Sequence, residues 1–206
     1  MNLKISKKKF IYLISPNKIY PQFYKDLKEI LETRKVQFFQ MRLKKYSLKE
    51  KILIGKKIQQ ICKKNSTKFL VNDDPILSKK LNADGCHLGQ KDMDIKNARK
   101  IVGKKIIGIT CHNSINLAKA AIKKQADYIA FGAFFSTTTK KVKFKATTKI
   151  LNKAKKLTKV PIVAIGGINF DNYKKLLLNN ANLLAISGYI WNNKKYKPIE
   201  SIKKLK

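Results

Sequence analysis

The sequence predicts an α/β fold, a single-domain (β/α)8 TIM barrel spanning residues 1–206. Eight short apolar runs alternate with helix-length amphipathic stretches along the chain. The runs show little polar alternation, as strands buried on both faces do. No linker, low-complexity segment or change of composition interrupts the series, so one closed barrel with right-handed crossovers is expected.

The apolar runs are rich in Val, Ile, Leu and Phe, which favour buried strands. The strands are predicted at Phe10–Ser15, Val36–Met41, Lys68–Val71, Gly85–Leu88, Lys105–Ile109, Tyr128–Gly132, Pro161–Ile165 and Leu183–Ile186. An open, doubly wound sheet is the competing architecture. Its usual mark is a G-x-G-x-x-G turn after the first strand, but Ser15-Pro16-Asn17 stands at that point.

Apolar residues at helical spacing fill the intervals between the runs, for example Ile52, Ile58 and Ile61. The predicted helices are Pro21–Arg34, Leu48–Lys63, Pro75–Leu81, Ile95–Val102, Ile115–Lys124, Thr147–Leu157, Asp171–Asn179 and Lys197–Lys203. Ser47 and Asp171 stand where helix N-caps are expected.

Composition limits the classes of function. A net charge of +35 suits nucleic acid or anionic small molecules, but the lysines spread along the whole chain, so we expect no specific nucleic-acid partner. No apolar run approaches the ~20 residues that span a bilayer, and the patch at Phe10–Ile14 is shorter than a signal sequence requires. We therefore expect a cytoplasmic protein with no membrane partner, and a homo-oligomer is possible.

Polar motifs follow nearly every predicted strand at its C-terminal end. In a barrel these ends converge on one rim, where active sites are built. The motifs are Gln40–Lys44, Asn72–Asp74, Gly89–Asp92, Thr110–His112, Thr137–Lys140, Gly166-Gly167 and Ser187-Gly188.

The first of these motifs has the spacing Q-x-R-x-K. A two-residue period places Gln40, Arg42 and Lys44 on one side of an extended segment, where Arg42 and Lys44 would point two cations at one anion. The alternative is a solvated basic loop.

Two carboxylates end neighbouring strands. Asp73 and Asp92 supply hard oxygen ligands, which suit Mg²⁺ when phosphate oxygens complete its shell. For Asp73 or Asp74 the alternative is a helix N-cap before Pro75. Asp84 and Asp127 precede their strands and are expected to form structural turns.

A second anion site is predicted after the last two strands. Gly166-Gly167 and Ser187-Gly188 lie where many barrels bind phosphate through backbone N–H groups. Thr137, Thr139 and Lys140 would add two hydroxyls and a cation. A tight turn is the alternative for the glycines.

Two Cys-His pairs, Cys86-His87 and Cys111-His112, raise the question of zinc. Neighbouring strand residues point to opposite faces, so the members of a pair would not converge on one ion. We expect Cys86 in the core and both histidines hydrogen-bonded near the rim. With three cysteines and no CxxC pair, no disulfide framework is expected.

Taken together, the motifs resemble those of the thiamine phosphate synthase family. The matching segments occur in family order and cover about 150 residues: QMRLK at 40–44, NDD at 72–74, ADGCHLGQKD at 83–92, GITCHN at 108–113, TTTK at 137–140, AIGGI at 164–168 and AIS at 185–187.

The resemblance implies a transferase. Hydroxymethylpyrimidine pyrophosphate would lose its pyrophosphate, and the ring nitrogen of thiazole phosphate would bond to the methylene carbon, giving thiamine phosphate. Both substrates are small molecules, and Mg²⁺ is the implied cofactor, held by Asp73 and Asp92.

The resemblance also assigns residues to each substrate. The pyrimidine pyrophosphate would be held by Gln40, Arg42, Lys44, Asn72, Thr110 and Lys140, of which Arg42, Lys44, Thr110 and Lys140 are the catalytic candidates. The thiazole phosphate would be held by Thr137, Thr139, Gly167, Ile186 and Ser187.

The chain departs from the family pattern at two points. Thr110 stands where the family usually has serine. The segment 141–147 lacks the glycine that usually ends the loop after Lys140, so loop closure is expected to differ. A related thiazole tautomerase on the same barrel is the nearest alternative function, and a basic nucleic-acid-binding protein is the more distant one.

Overall fold

The computed structural model describes residues 3, 5, 6, 8–137 and 143–206. In these residues the strands pair in chain order, all in parallel, and close into a barrel through β1 and β8. The strands are β1 (Ile11–Ile14), β2 (Val36–Met41), β3 (Lys68–Asn72), β4 (Gly85–Leu88), β5 (Ile106–Thr110), β6 (Tyr128–Gly132), β7 (Ile162–Ile165) and β8 (Leu183–Ile186).

Helices follow the strands and surround the barrel. They are α1 (Phe23–Glu32), α2 (Leu48–Lys64), α3 (Pro75–Lys80), α4 (Ile95–Val102), α5 (Ile115–Lys123), α6 (Thr148–Leu157), α7 (Tyr173–Leu178), α8 (Gly188–Trp191) and α9 (Pro198–Lys204). The predicted (β/α)8 fold is confirmed, and the open doubly wound sheet is excluded because β1 pairs with β8. No helix of the described ranges is long and apolar enough to cross a bilayer.

Alternating strand residues build two separate cores. In β1, Ile11 and Leu13 face the surrounding helices, whereas Tyr12 and Ile14 point into the barrel. The same alternation in β4 places Cys86 in the outer core, while His87 contacts groups inside the barrel. The prediction that Cys86 and His87 lie on opposite sides of their strand is confirmed.

Helix caps agree with the sequence at α2 and differ at α7. The Ser47 hydroxyl accepts from the backbone N–H of Glu50, whose carboxylate accepts from the N–H of Ser47, which closes a capping box. The predicted cap at Asp171 is wrong, because α7 begins at Tyr173 and Asn172 precedes it. The side chains of Asn169 and Asn172 accept hydrogen bonds from nearby backbone N–H groups and form a turn, so the helix begins later in the sequence.

The short helix α8 was not predicted from the sequence. It is a single turn, and a long-range contact fixes it, since the indole N–H of Trp191 donates to the carbonyl of Ile14 at 2.6 Å. No local periodicity reveals such a contact.

Two aspartates serve the end of the barrel opposite the polar rim. Asp84 accepts from the N–H of Phe69 at 2.9 Å, and Asp127 accepts from the N–H of Ile107 at 2.8 Å and pairs with Arg99 at 2.7 Å. These bonds confirm that both carboxylates are structural. Arg99 is thereby engaged away from the rim.

Candidate active site

A cation and two carboxylates meet over the ends of β2, β3 and β4. Lys44 Nζ lies 2.8 Å from Asp73 Oδ2, and the Asp73 and Asp92 side chains lie within hydrogen-bonding reach of each other. The N–H of Gly89 donates to Asp92 Oδ2 at 2.7 Å. We call this group, with the neighbouring Arg42, the carboxylate region.

Backbone geometry separates the roles of the two aspartates that follow β3. Asp74 is the N-cap of α3 and accepts from the N–H of Leu77 at 2.8 Å, directly before Pro75. Asp73 has a φ of +63° and donates its N–H to the carbonyl of His87 at 2.8 Å. The capping alternative is therefore realised by Asp74, which leaves the Asp73 carboxylate at the rim. A positive φ is uncommon outside glycine, although aspartate tolerates it better than most residues.

The two carboxyl groups have pKa values displaced in opposite directions. Burial raises the pKa of Asp73, but hydrogen bonds from Lys44 and with Asp92 outweigh it, so the pKa lies below its ordinary value. Burial also raises the pKa of Asp92; the Gly89 N–H opposes this, but contact with Asp73 adds to it, so the pKa lies above its ordinary value. Two carboxylates this close favour one shared positive partner, either a proton or a cation.

The extended segment predicted through Gln40, Arg42 and Lys44 does not reach Lys44. β2 ends at Met41, and Lys44 lies in the following turn, so the two-residue period does not extend to it. The Arg42 backbone N–H donates to Ser15 Oγ at 2.9 Å, and its guanidinium donates to Asn17 Oδ1 at 3.2 Å. Both cations nevertheless stand at the rim, beside Asn72 at the end of β3.

A chain of hydrogen bonds crosses the barrel interior beneath this region. Gln40 Nε2 donates to Tyr12 Oη at 3.0 Å, which is 2.8 Å from Tyr128 Oη. Tyr128 Oη lies 2.8 Å from His87 Nδ1, and His87 Nε2 lies 2.8 Å from Thr110 Oγ1. Burial lowers the pKa of His87 to about 4, against the opposing charge of Asp73, so the ring is neutral at pH 7. We call these five residues the buried hydrogen-bond chain.

Sequence reasoning missed Tyr12 and Tyr128. Both lie within apolar runs, where a tyrosine is normally a core residue whose hydroxyl finds some partner. Their inward positions follow from alternation along β1 and β6, and this was the available signal. What alternation does not reveal is that the two hydroxyls, from β1 and β6, bond each other and that the Tyr128 hydroxyl also bonds His87.

The rim over β7 and β8 is built mainly from backbone. Gly166 and Gly167 have φ values of +105° and +64°, and a Cβ added to Gly167 would lie 2.2 Å from the carbonyl oxygen of Ser136. The carbonyl of Gly167 accepts from Asn172 Nδ2 at 3.0 Å, and the Ser187 hydroxyl donates to the carbonyl of Ser15 at 3.2 Å. We call Gly166, Gly167 and Ser187 the glycine region.

The segment after β6 runs alongside the glycine region. The N–H groups of Phe134 and Phe135 donate to the carbonyls of Ile165 and Gly166 at 3.2 and 3.1 Å. Thr137 follows on this path, and Ile186 is buried at the end of β8. Two predicted site residues, Thr139 and Lys140, lie outside the described residues.

The comparisons with known proteins identify the family. A model of the thiamine monophosphate synthase family matches residues 11–190. The chain belongs to the thiamine monophosphate synthase family. It is 66% identical over 200 residues to the thiamine-phosphate synthase of Pelagibacter ubique (strain HTCC1062), covering 97% of each chain. It is 40% identical over 186 residues to that of Erythrobacter litoralis (strain HTCC2594), covering 88% of this chain and 87% of the other.

A solved member of the family has the same architecture. Thiamine phosphate pyrophosphorylase from Pyrococcus furiosus superposes with a TM-score of 0.85 at 30% identity, covering 97% of this chain and 94% of that one. The chain is accordingly a transferase of thiamine biosynthesis, as the motif order predicted. The tautomerase and nucleic-acid alternatives are set aside.

Proposed function

We propose that the rim condenses hydroxymethylpyrimidine pyrophosphate with thiazole phosphate, releasing pyrophosphate, with Mg²⁺ held by Asp73 and Asp92. The observation that carries this proposal is the carboxylate region, where Lys44 and two carboxylates meet at three adjacent strand ends. A pyrophosphate and its metal need this mixture of cations and hard oxygen ligands.

The residues present fit Mg²⁺. This ion commonly takes one or two carboxylates and completes its octahedral shell with water and phosphate oxygens. In the described residues no three His, Cys, Asp or Glu side chains cluster, so a closed all-protein metal cage is not built there. Asp73 and Asp92, whose pKa values diverge because they compete for one positive charge, match a site that a pyrophosphate completes.

The chain's own residues stabilise the leaving group. When the bond between the methylene carbon and the pyrophosphate oxygen breaks, negative charge accumulates on the pyrophosphate. Arg42, Lys44, Asn72 and Thr110 lie on the same side of the rim and supply preorganised donors for that charge. By the family resemblance, Lys140 would join them from the loop after β6. Bound Mg²⁺ would supply further electrostatic stabilisation of the leaving pyrophosphate.

The glycine region would hold the thiazole phosphate. The backbone N–H groups of Gly167, Ile186 and Ser187 would bind the phosphate, and glycine lets an anion approach closely. Thr137 and Thr139 would add hydroxyl donors. The thiazole nitrogen carries its own lone pair, so no general base is required, and the protein contributes position, charge and exclusion of water.

Two further points extend the proposal. We propose a cytoplasmic location, supported by the free, buried thiols of Cys62, Cys86 and Cys111, the state expected in a reducing compartment. An assembly of like chains is also proposed, and the mass of the protein in solution tests it.

A direct assay tests the proposed reaction. Purified enzyme is mixed with both substrates, with each alone, and with both in the presence of a chelator, and thiamine phosphate and pyrophosphate are quantified. Equal amounts of the two products are expected only with both substrates and Mg²⁺. Product in the chelated sample would overturn the metal assignment, and no product in the complete mixture would overturn the reaction.

A further inference from the structure

The buried hydrogen-bond chain joins two residues that are expected to hold the same substrate. Gln40 on β2 and Thr110 on β5 stand at its ends, and Tyr12, Tyr128 and His87 link them through the barrel. Tyr12 and Tyr128 are fully enclosed, with exposed fractions of 1% and 0%. The three linking residues therefore act beneath the surface that binds substrate.

The number of available protons determines which group donates in each hydrogen bond of the chain. The Gln40 amide nitrogen can only donate, so Tyr12 Oη accepts from it and has one proton left for Tyr128. Tyr128 in turn gives its single proton to His87 Nδ1. The reverse direction would leave the Tyr12 proton without an acceptor in this chain, and buried polar groups are rarely left unsatisfied.

This direction determines the tautomer of His87. Because Nδ1 accepts from Tyr128, the proton of the neutral ring lies on Nε2, which donates to Thr110 Oγ1. The Thr110 hydroxyl then uses a lone pair for His87 and keeps its own proton for another acceptor. Thr110 is half-buried at the C-terminal end of β5, so that acceptor lies towards the rim.

We propose that Tyr12, Tyr128 and His87 are positioning residues, which hold the Thr110 hydroxyl as a hydrogen-bond donor aimed at the pyrophosphate. This inference rests on the proposed function of the rim. It extends that function by giving a role to three linked polar rings that lie among the apolar residues of the inner core.

The packing of the rings keeps the chain in one arrangement. Tyr128 and His87 stack with centroids 5.6 Å apart and planes at 17°, and Tyr12 meets Tyr128 edge-on at 5.8 Å. Gly108 provides the space, since a Cβ there would lie 1.8 Å from Tyr128 Cζ. Phenylalanine would fill the same volume at both tyrosine positions, so packing alone does not require the hydroxyls.

The tautomer is tested directly by NMR on the folded enzyme. The chain has two histidines, so ¹⁵N-labelled imidazole gives two sets of signals, and His112→Gln identifies those of His87. We expect the Nε2–H tautomer, with Nδ1 as the unprotonated nitrogen. An Nδ1–H tautomer would make His87 the donor to Tyr128 and Thr110 the donor to His87, and would overturn the proposal.

Kinetics of a double-mutant cycle test the functional link. Thr110→Val removes the hydroxyl and should lower kcat by roughly 10²-fold, as loss of one preorganised donor does. Tyr128→Phe breaks the chain without changing the ring and should lower kcat in the same way, with KM for thiazole phosphate unchanged. The double variant should be no slower than Thr110→Val, because Tyr128 acts only through Thr110.

Matched controls separate positioning from packing. Tyr173→Phe also removes a hydrogen-bonded hydroxyl from a buried ring, but its partner is Lys206, outside the barrel interior, so kcat should not change. Thr110→Ser keeps the hydroxyl, so Tyr128→Phe should still lower kcat in the Thr110→Ser background, in contrast to the Thr110→Val background. Additive losses in the double variant of an active enzyme would overturn the positioning role alone, whereas an inactive wild-type enzyme would overturn the proposed reaction.

Discussion

The carboxylate region and the glycine region occupy the same rim but offer anions different chemistry. Over β2–β4 the groups are charged side chains, with Lys44 on Asp73 and Asp92 beside them. Over β7 and β8 the groups are backbone, with Gly166 and Gly167 in conformations that favour glycine. A leaving pyrophosphate gains charge during the reaction, whereas a phosphate that only anchors its substrate does not. We therefore expect side-chain charge and the proposed Mg²⁺ to act on the first side, whereas fixed backbone donors suffice on the second.

The largest effect is expected at Asp92. Asp92→Asn removes one of the two carboxylates proposed to hold Mg²⁺ and should lower kcat by about 10³-fold, with partial recovery at high Mg²⁺. Initial rates across a Mg²⁺ titration measure both the loss of kcat and its recovery. Asp94→Asn is the matched control, since Asp94 is an exposed cap two residues away and asparagine also caps helices. A wild-type rate in Asp92→Asn would show that the carboxylate region has no special role in catalysis compared with the glycine region.

A smaller loss is expected at Lys44. Lys44→Met removes the cation that pairs with Asp73 and should lower kcat by roughly 10²-fold, because Lys44 is proposed to stabilise the charge of the leaving group. Lys45→Met changes the neighbouring exposed lysine by the same charge and should leave kcat unchanged. Steady-state kinetics with both substrates varied measure the effect, and equal losses in the two variants would show a general charge effect.

The glycine region should respond in KM and leave kcat nearly unchanged. In Gly167→Ala the new Cβ would meet the Ser136 carbonyl, so the turn must shift, and KM for thiazole phosphate should rise about tenfold, or about 1.4 kcal/mol. Gly103→Ala shares a positive φ but meets nothing within 4 Å, so it isolates backbone strain from the clash. Both should lower the melting temperature, and only Gly167→Ala should change KM. If KM for the pyrimidine substrate rose instead, the glycine region would bind that substrate and the assignment of thiazole phosphate to it would be wrong.

The barrel interior is apolar beneath the glycine region but contains an ionisable histidine beneath the carboxylate region. Stability should therefore depend on pH through that histidine. Val163 and Leu183 lie beneath the glycine region, whereas His87 lies beneath the carboxylate region with a pKa of about 4. The unfolded chain protonates this ring near pH 6.5 and the folded protein resists protonation to about pH 4, so acid favours unfolding across that window. The loss should reach roughly 3 kcal/mol by pH 4.

Urea unfolding at several pH values measures this loss of unfolding free energy, with His87→Gln as the comparison. The free energy of unfolding of the wild-type protein should fall more steeply between pH 6.5 and 4 than that of the variant. Parallel curves would show that His87 is not the group responsible.

The sequence was sufficient for the fold because its apolar runs report burial directly. The run that forms β4, for example, needs no tertiary information beyond its length and composition, and the helices between runs follow from capping and period. Two helices were not predicted correctly. Asparagine side chains that bond the backbone place the start of α7 after Asp171, and a contact between Trp191 and Ile14 holds α8.

The position of the candidate residues at the rim was predictable, but the pairing of their side chains was not. Strand ends meet at one rim in any parallel barrel, which placed Arg42, Asp73 and Gly167 there from the sequence. That Lys44 pairs with Asp73, while Asp74 caps a helix, depends on a positive φ at Asp73 that no pattern specifies. Tyr12 and Tyr128 were missed for a related reason, since direction and partners inside a barrel are set by the closure of all eight strands.

The most direct test of the division between the two regions is a crystal structure of the enzyme with pyrophosphate and Mn²⁺, which replaces Mg²⁺ and is located by its anomalous signal. We expect the metal between Asp73, Asp92 and the pyrophosphate, with Arg42 and Lys44 on the same anion. A metal bound elsewhere, or pyrophosphate seated in the glycine region, would contradict it.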